Sequence, residues 1–212
     1  MKKIAIAIHG GAGTILPNLL TPEKELAYKT ALNDALQGGY SLLKKDFSAL
    51  DAVQAAVQIL EDCPLFNAGR GAVFNANGTH EMDAAIMSGF DKKCGAVAGV
   101  SGVKNPIELA RAVMEKTEHI LLVSKGAEDF ARWQNIPFEN EDYFFDAYRF
   151  EQFQQAKQED KIQLDHSSEK KFGTVGAVAL DAHGNIAAAT STGGMTNKKF
   201  GRVGDTDRKS VV

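Results

Sequence analysis

The chain has 212 residues, 44% hydrophobic and 24% charged, with 24 Lys and Arg against 27 Asp and Glu and a formal net charge of -3. That length suits one large domain with a real core, and the composition excludes a disordered, collagen-like or coiled-coil chain. The charge balance gives no ground for nucleic acid or an anionic membrane as a partner.

Twenty glycines against five prolines point to tight backbone geometry inside a fold. Two cysteines, Cys63 and Cys94, are too few for a disulfide framework. The start of the chain carries two lysines, but its apolar run ends at His9 and two glycines, too soon for the core of a signal peptide. No stretch approaches the roughly 18 apolar residues of a membrane span. The expectation is a reduced, soluble, cytoplasmic protein.

In chain order, residues 3–8 predict a buried strand that enters the turn His9-Gly10-Gly11-Ala12-Gly13. Thr21 before Pro22 starts a helix, with Glu23 and Glu25 in its first turn, and the helix is expected to stop near Gly38-Gly39. Ser48-Ala49-Leu50-Asp51 resembles a capping box, with Asp in place of Glu, ahead of the apolar-periodic run Ala52 to Leu60. Cys63 to Gly71 is then a loop of small residues. Residues 80–87 and 95–100 read as neighbouring strands. Asn105-Pro106 opens another helix, 120–123 is a strand, and 143–157 is helical. Residues 157–171 are polar, charged and patternless, an exposed linker. Beyond it, two strands around the turn Asp181 to Asn185 make a hairpin. Clustered rather than alternating strands and helices favour a layered α+β fold. There is no internal repeat.

Chemistry gathers where the linker meets the hairpin. If the Gly173–Thr174 bond were cut, Thr174 would carry a free α-amine beside its own hydroxyl. An amine with a pKa of about 8 can serve as that hydroxyl's general base. Gly173 has no Cβ to obstruct attack of the hydroxyl on its carbonyl. On the residues alone, Gly-Thr-Val-Gly reads first as the plain start of a strand. Arg202 and Asp205, three residues apart across a glycine, suit the α-carboxylate and α-ammonium of a zwitterion; a surface ion pair is the plain alternative. His80, Glu81 and Asp83 tempt a metal reading, but on a strand His80 faces away from the other two. No zinc site is expected.

Four segments carry a resemblance: His9-Gly10-Gly11-Ala12-Gly13, Pro64-Leu65-Phe66-Asn67-Ala68-Gly69-x-Gly71, His80-Glu81-x-Asp83-Ala84, and the run GTVGAVALDAHGNIAAATSTGGMTNKKFGRVGD from Gly173 to Asp205. Together they resemble the plant-type asparaginase / isoaspartyl peptidase family of N-terminal nucleophile (Ntn) hydrolases, over residues 3–205. The resemblance implies an αββα four-layer sandwich, one domain over 1–212, made as a precursor. It implies cleavage between Gly173 and Thr174, giving an α chain 1–173, its linker at about 157–173, and a β chain 174–212. It further implies Thr174 as nucleophile toward the side-chain amide of asparagine or the isopeptide carbonyl of β-aspartyl dipeptides. Thr192 would hydrogen-bond that nucleophile, Asn67 would donate on the oxyanion side, and Arg202 and Asp205 would hold the substrate. Read without the resemblance, Thr192 is an ordinary strand threonine and Asn67 a loop asparagine satisfying its own turn. No cofactor for catalysis is implied. A structural sodium ion is, held by backbone carbonyls of Leu60, Glu61, Cys63, Phe66, Ala68 and Arg70. The implied partners are small-molecule substrates, and a dimer of αβ heterodimers.

After Asp205 the resemblance stops, where the family continues with a stretch that includes a substrate-binding Thr-Gly pair. Residues 206–212 read as translated sequencing adapter, so the expectation is a fold incomplete at its C-terminus. Apolar sheet surface and strand edges would then be exposed and the chain poorly soluble or inactive. Within the fold, the absence of a signal peptide and of disulfide-forming cysteines argues against a lysosomal-type glycosylasparaginase. The alternative of a different class is a non-enzymatic fragment that survives only by pairing with full-length relatives.

Overall fold

A computed structural model describes residues 3–11, 21–159 and 173–204. Ala12-Gly13, most of the expected linker, Asp205 and residues 206–212 lie outside the described residues.

Six strands form one sheet: β1 (Ala5–His9), β2 (Met82–Ser88), β3 (Cys94–Val100), β4 (Leu121–Val123), β5 (Val175–Leu180) and β6 (Ile186–Thr192). Their spatial order is β1-β5-β6-β2-β3-β4. The β5–β6 hairpin therefore sits in the middle, between two strands made much earlier. All pairs are antiparallel except β3 with β4, and these two are joined by the crossover helix α3 (Pro106–Lys116).

Helices α1 (Pro22–Lys44), α2 (Ala49–Glu61) and α3 cover one face of the sheet. Period-two burial builds that face: Val175, Ala177 and Ala179 on β5, Ala187 and Ala189 on β6, Ala84 and Ile86 on β2, and Val97 on β3 are all buried. Most of these side chains are small, so the helices approach closely. A Cβ on Gly95 would stand 2.2 Å from the Ala110 carbonyl of α3.

Local signals account for the helix starts. Thr21 Oγ1 accepts from Lys24 N at 3.3 Å. The box at Ser48 closes as read, Asp51 N donating to Ser48 Oγ at 3.1 Å and Ser48 N to Asp51 Oδ2 at 3.3 Å. A second carboxylate caps α2 from far along the chain: buried Asp181 accepts from Ala49 N at 3.2 Å and, within the hairpin turn, from His183 N and Asn185 N at 2.9 Å each. Burial raises the Asp181 pKa, but the N–H donors outweigh it and hold the carboxyl below its ordinary value.

Several expected boundaries move. Helix α1 runs through Gly38-Gly39 to Lys44. The two glycines are where α1 meets its neighbours: a Cβ on Gly39 would lie 2.4 Å from Ile6 Cδ1 and 2.8 Å from the Ala52 carbonyl, and one on Gly38 2.4 Å from Ile59 Cδ1. Close packing outweighs a glycine's helix penalty of about 1 kcal/mol. The helix expected over 143–157 is two, α5 (Glu141–Phe144) and α6 (Ala147–Gln158), because Asp146 caps α6 by accepting from Arg149 N at 2.9 Å. Helix α4 (Ser124–Trp133) follows β4 directly and was not anticipated.

Strand β2 starts at Met82, so the strand argument that placed His80 opposite Glu81 and Asp83 does not apply. The His80 ring instead packs against Phe74, 4.2 Å between centroids, and Phe144, 5.9 Å. Phe150 and Phe153 of α6 close on Phe74 at 5.4 and 5.7 Å.

The other face of the sheet differs. Val178, Ile186, Ala188 and Met87 are exposed there, and no described residue covers them. The fold is α+β, as expected. The described residues form a sheet and the helices on one of its faces, two of the four layers anticipated.

Candidate functional site

The site grows from one end of the central strands. Val175 pairs with Ser191, so extending the β5–β6 register by one residue sets Thr174 opposite Thr192. Thr192 in turn pairs with Asp83 on β2. Thr174, Thr192 and Asp83 thus form a row across three adjacent strands, on the same face as exposed Val178 and Ala188. Strand β1 delivers its turn to the same end, since His9 pairs with Gly176. Gly11, at φ 128°, abuts the peptide before Thr174: a Cβ there would lie 2.8 Å from Gly173 N and 3.1 Å from Gly173 O. On its other side the turn rests on the small-residue loop, with a Gly10 Cβ position 3.0 Å from Phe66 Cε1.

Asn67 and Thr192 meet through Gly193-Gly194. Buried Asn67 donates from Nδ2 to Gly194 O at 2.8 Å, and its Oδ1 accepts from Val73 N at 3.2 Å. Its own carbonyl accepts from Gly193 N at 2.9 Å. Thr192 Oγ1 accepts from Gly194 N at 3.1 Å. Glycine is required at 193, where a Cβ would stand 2.4 Å from Asn67 Oδ1.

Two charged residues lie beside this turn: Lys198, with no distinguishing signal in the sequence, and Asp83, weighed there only as a metal ligand and as part of the resemblance. Lys198 is buried, with Nζ donating to the Glu81 carbonyl at 3.1 Å and 3.5 Å from Glu81 Oε2, and a Gly194 Cβ would fall 3.2 Å from that Nζ. Asp83 is buried too, accepting at Oδ1 from Gly99 N at 2.8 Å and at Oδ2 from Gly204 N at 2.5 Å. Their roles here are not legible in the sequence, because each is defined by backbone groups distant along the chain. Arg202 is half-buried on the segment that Gly204 ends, and its backbone N donates to Lys199 O at 3.2 Å.

The expected sodium loop runs from the end of α2. Leu60, Glu61, Phe66 and Ala68 are buried, Cys63 is half-buried, and Arg70 is exposed with its guanidinium 5.3 Å from the Tyr143 ring centre. Its carbonyls crowd two glycines: the Glu61 oxygen lies 2.5 Å from a Cβ position on Gly69, and the Phe66 and Pro64 oxygens 2.0 and 2.7 Å from one on Gly71. The carbonyls of Cys63, Phe66 and Ala68 accept a backbone N–H each, and Leu60 accepts from Cys63 N and Asp62 N. Of the six expected ligands, the Glu61 and Phe66 oxygens border these glycine positions, and neutral oxygens are the donors a hard cation takes. The Glu61 side chain turns away, Oε1 accepting from Ile107 N at 3.0 Å at the start of α3, and burial pushes its carboxyl up to about 8.

Among the described residues no three His, Cys, Asp or Glu side chains gather as a metal site, and no helix is long and apolar enough to cross a membrane. A family profile described as asparaginase matches residues 2–208. Isoaspartyl peptidase of Salmonella typhimurium is 52% identical over 97% of this chain and 67% of its own length. Isoaspartyl peptidase of Escherichia coli K12 is 50% identical over 97% of the chain and 65% of its own. Isoaspartyl peptidase/L-asparaginase of Mus musculus is 45% identical over 95% and 60%. The chain spans about two thirds of the length of these curated relatives.

Proposed function

The chain belongs to the asparaginase family, and from that premise we propose that it is a precursor of an N-terminal threonine hydrolase of β-aspartyl dipeptides and asparagine. One observation carries the reading: the β5–β6 ladder ends at Val175 and Ser191, one residue short of Thr174 and Thr192, while the Gly173 peptide is packed against Gly11. In the first step the Thr174 hydroxyl adds to the Gly173 carbonyl carbon, the acyl group passes from nitrogen to oxygen, and water hydrolyses the ester. The freed α-amine then takes the proton of the hydroxyl as it attacks the substrate carbonyl and returns it to the departing amine. Water releases aspartate from the resulting ester.

Thr192 supports the nucleophile from the facing strand, and Asn67 fixes the Gly193-Gly194 turn beside it. Arg202 and Asp205 clamp the α-carboxylate and α-ammonium of the substrate. Sodium belongs in the carbonyl cradle at Glu61, Phe66 and their neighbours, where it would hold the loop that carries Asn67. Two free cysteines suit a reducing cytoplasm, and a dimer of αβ heterodimers is the proposed assembly.

The test is intact mass under denaturing conditions, then aspartate release from a β-aspartyl dipeptide. The wild-type chain is expected as two pieces, ending at Gly173 and starting at Thr174, and Thr174→Ala as one species of 22.8 kDa. A wild-type chain that stays whole and releases no aspartate overturns the proposal.

A further inference from the structure

We propose that Asp83 is a positioning residue that fixes the substrate arm, residues 199–204, to the nucleophile end of the sheet. The proposal rests on the reading that Arg202 meets the substrate. The β2–β3 register shifts between Met82 and Ala84, so Asp83 occupies the irregular place and has no partner in β3, while keeping its place opposite Thr192 in β6. Its carboxylate replaces the missing ladder bonds. One oxygen takes Gly99 N, at a residue with φ 61°; the other takes Gly204 N, 121 positions along the chain.

The arm itself has little apolar anchorage. Phe200 is fully exposed and Val203 is 49% exposed, and the backbone at Phe200 and Gly201 turns through φ 59° and 65°. An arm of this kind needs a fixed point, and a carboxylate 1% exposed that accepts a backbone N–H supplies one. Each Asp83 oxygen accepts a backbone N–H, one of them from the arm, so the residue acts through the arm it holds.

The experiment compares wild type, Asp83→Asn and Gly204→Pro. Asparagine offers one acceptor where Asp83 offers two; proline removes the N–H from the exposed side alone and leaves the buried carboxylate in place, so it remains informative if Asp83→Asn folds poorly. Both variants are expected to self-cleave between Gly173 and Thr174 as wild type does. Both should be cut by trypsin after Arg202 at least tenfold faster, and raise KM for a β-aspartyl dipeptide at least fivefold with kcat within threefold. Unchanged trypsin sensitivity at Arg202, or a fall in kcat with KM unchanged, overturns the proposal. A lowered melting temperature with neither change also overturns it, since it would mark a purely structural role. If wild type turns over no β-aspartyl substrate, the activity reading fails, and the trypsin comparison still decides whether Asp83 holds the arm.

Discussion

At the scale of single residues, the Asn67 side chain bonds buried backbone on both sides, at Gly194 O and Val73 N, and its carbonyl accepts from Gly193 N. Asn67→Leu keeps the volume but strands Gly194 O and Val73 N. Each stranded group costs about 1–3 kcal/mol, so the loss should be about 2–6 kcal/mol in a urea melt. His80 gives a pH test. Burial lowers its pKa below 6.5, with Arg149 adding to the effect and Glu141 opposing it. The folded state therefore binds fewer protons than the unfolded one. Its stabilisation is present above the unfolded value and is lost as pH falls from about 6.5 through the folded value. His80→Leu should flatten the drop in melting temperature between pH 7 and pH 5; an undiminished drop would remove His80 as its source. Thr174 stood out because it follows a polar linker and heads a strand, whereas Thr192 and Asn67 were marked only by the family resemblance. Asp83 drew notice only as a metal ligand to be rejected, and Lys198 not at all, because the role of each depends on distant backbone partners.

Among elements, capping was legible and termination was not. The box at Ser48 needs only four consecutive residues, and Ser48→Ala should cost about 1 kcal/mol, read by thermal melting. Gly38-Gly39 read as a stop because glycine is a poor helix former; only the packed structure shows Ile6, Ala52 and Ile59 pressed against them. Gly39→Ala sets the two effects against each other. Helix propensity would gain about 1 kcal/mol, while overpacking costs about 1–3 kcal/mol, and the Ala52 backbone oxygen cannot swing aside as a side chain can. Net destabilisation is expected; a rise in melting temperature would show that α1 can move away. Helix α4 escaped notice since its buried stripe is only Ala127 and Ala131, too weak a periodic signal. The break before α6 depends on Asp146 turning back to cap, a choice that a run of mixed polar and aromatic residues does not announce.

For the whole molecule, the sheet face that no other described residue covers bears on behaviour in solution. Val178, Ile186 and Met87 are 54%, 62% and 46% exposed, a contiguous apolar surface of the kind that binds partners or aggregates. The isolated chain should enhance the fluorescence of an apolar dye such as ANS. Ile186→Lys should reduce that signal while moving stability by no more than about 0.5 kcal/mol; a large loss of stability would mean that the face is covered in solution. The α+β class was legible because strands and helices cluster along the chain, whereas strand order was not, since no local pattern tells a hairpin to insert between earlier strands.

That insertion sets a timetable for biosynthesis. As the chain leaves the ribosome, β1 and β2 emerge first and have no strand between them, because the two that belong there follow about ninety residues after β2. The early segments can form their helices and the β2–β3–β4 part of the sheet, but two open edges must wait for the hairpin. Thr174 heads the first of the late strands. The hydroxyl and the bond it is proposed to cut are therefore brought into register only when the sheet closes, and a precursor caught during translation should still be in one piece.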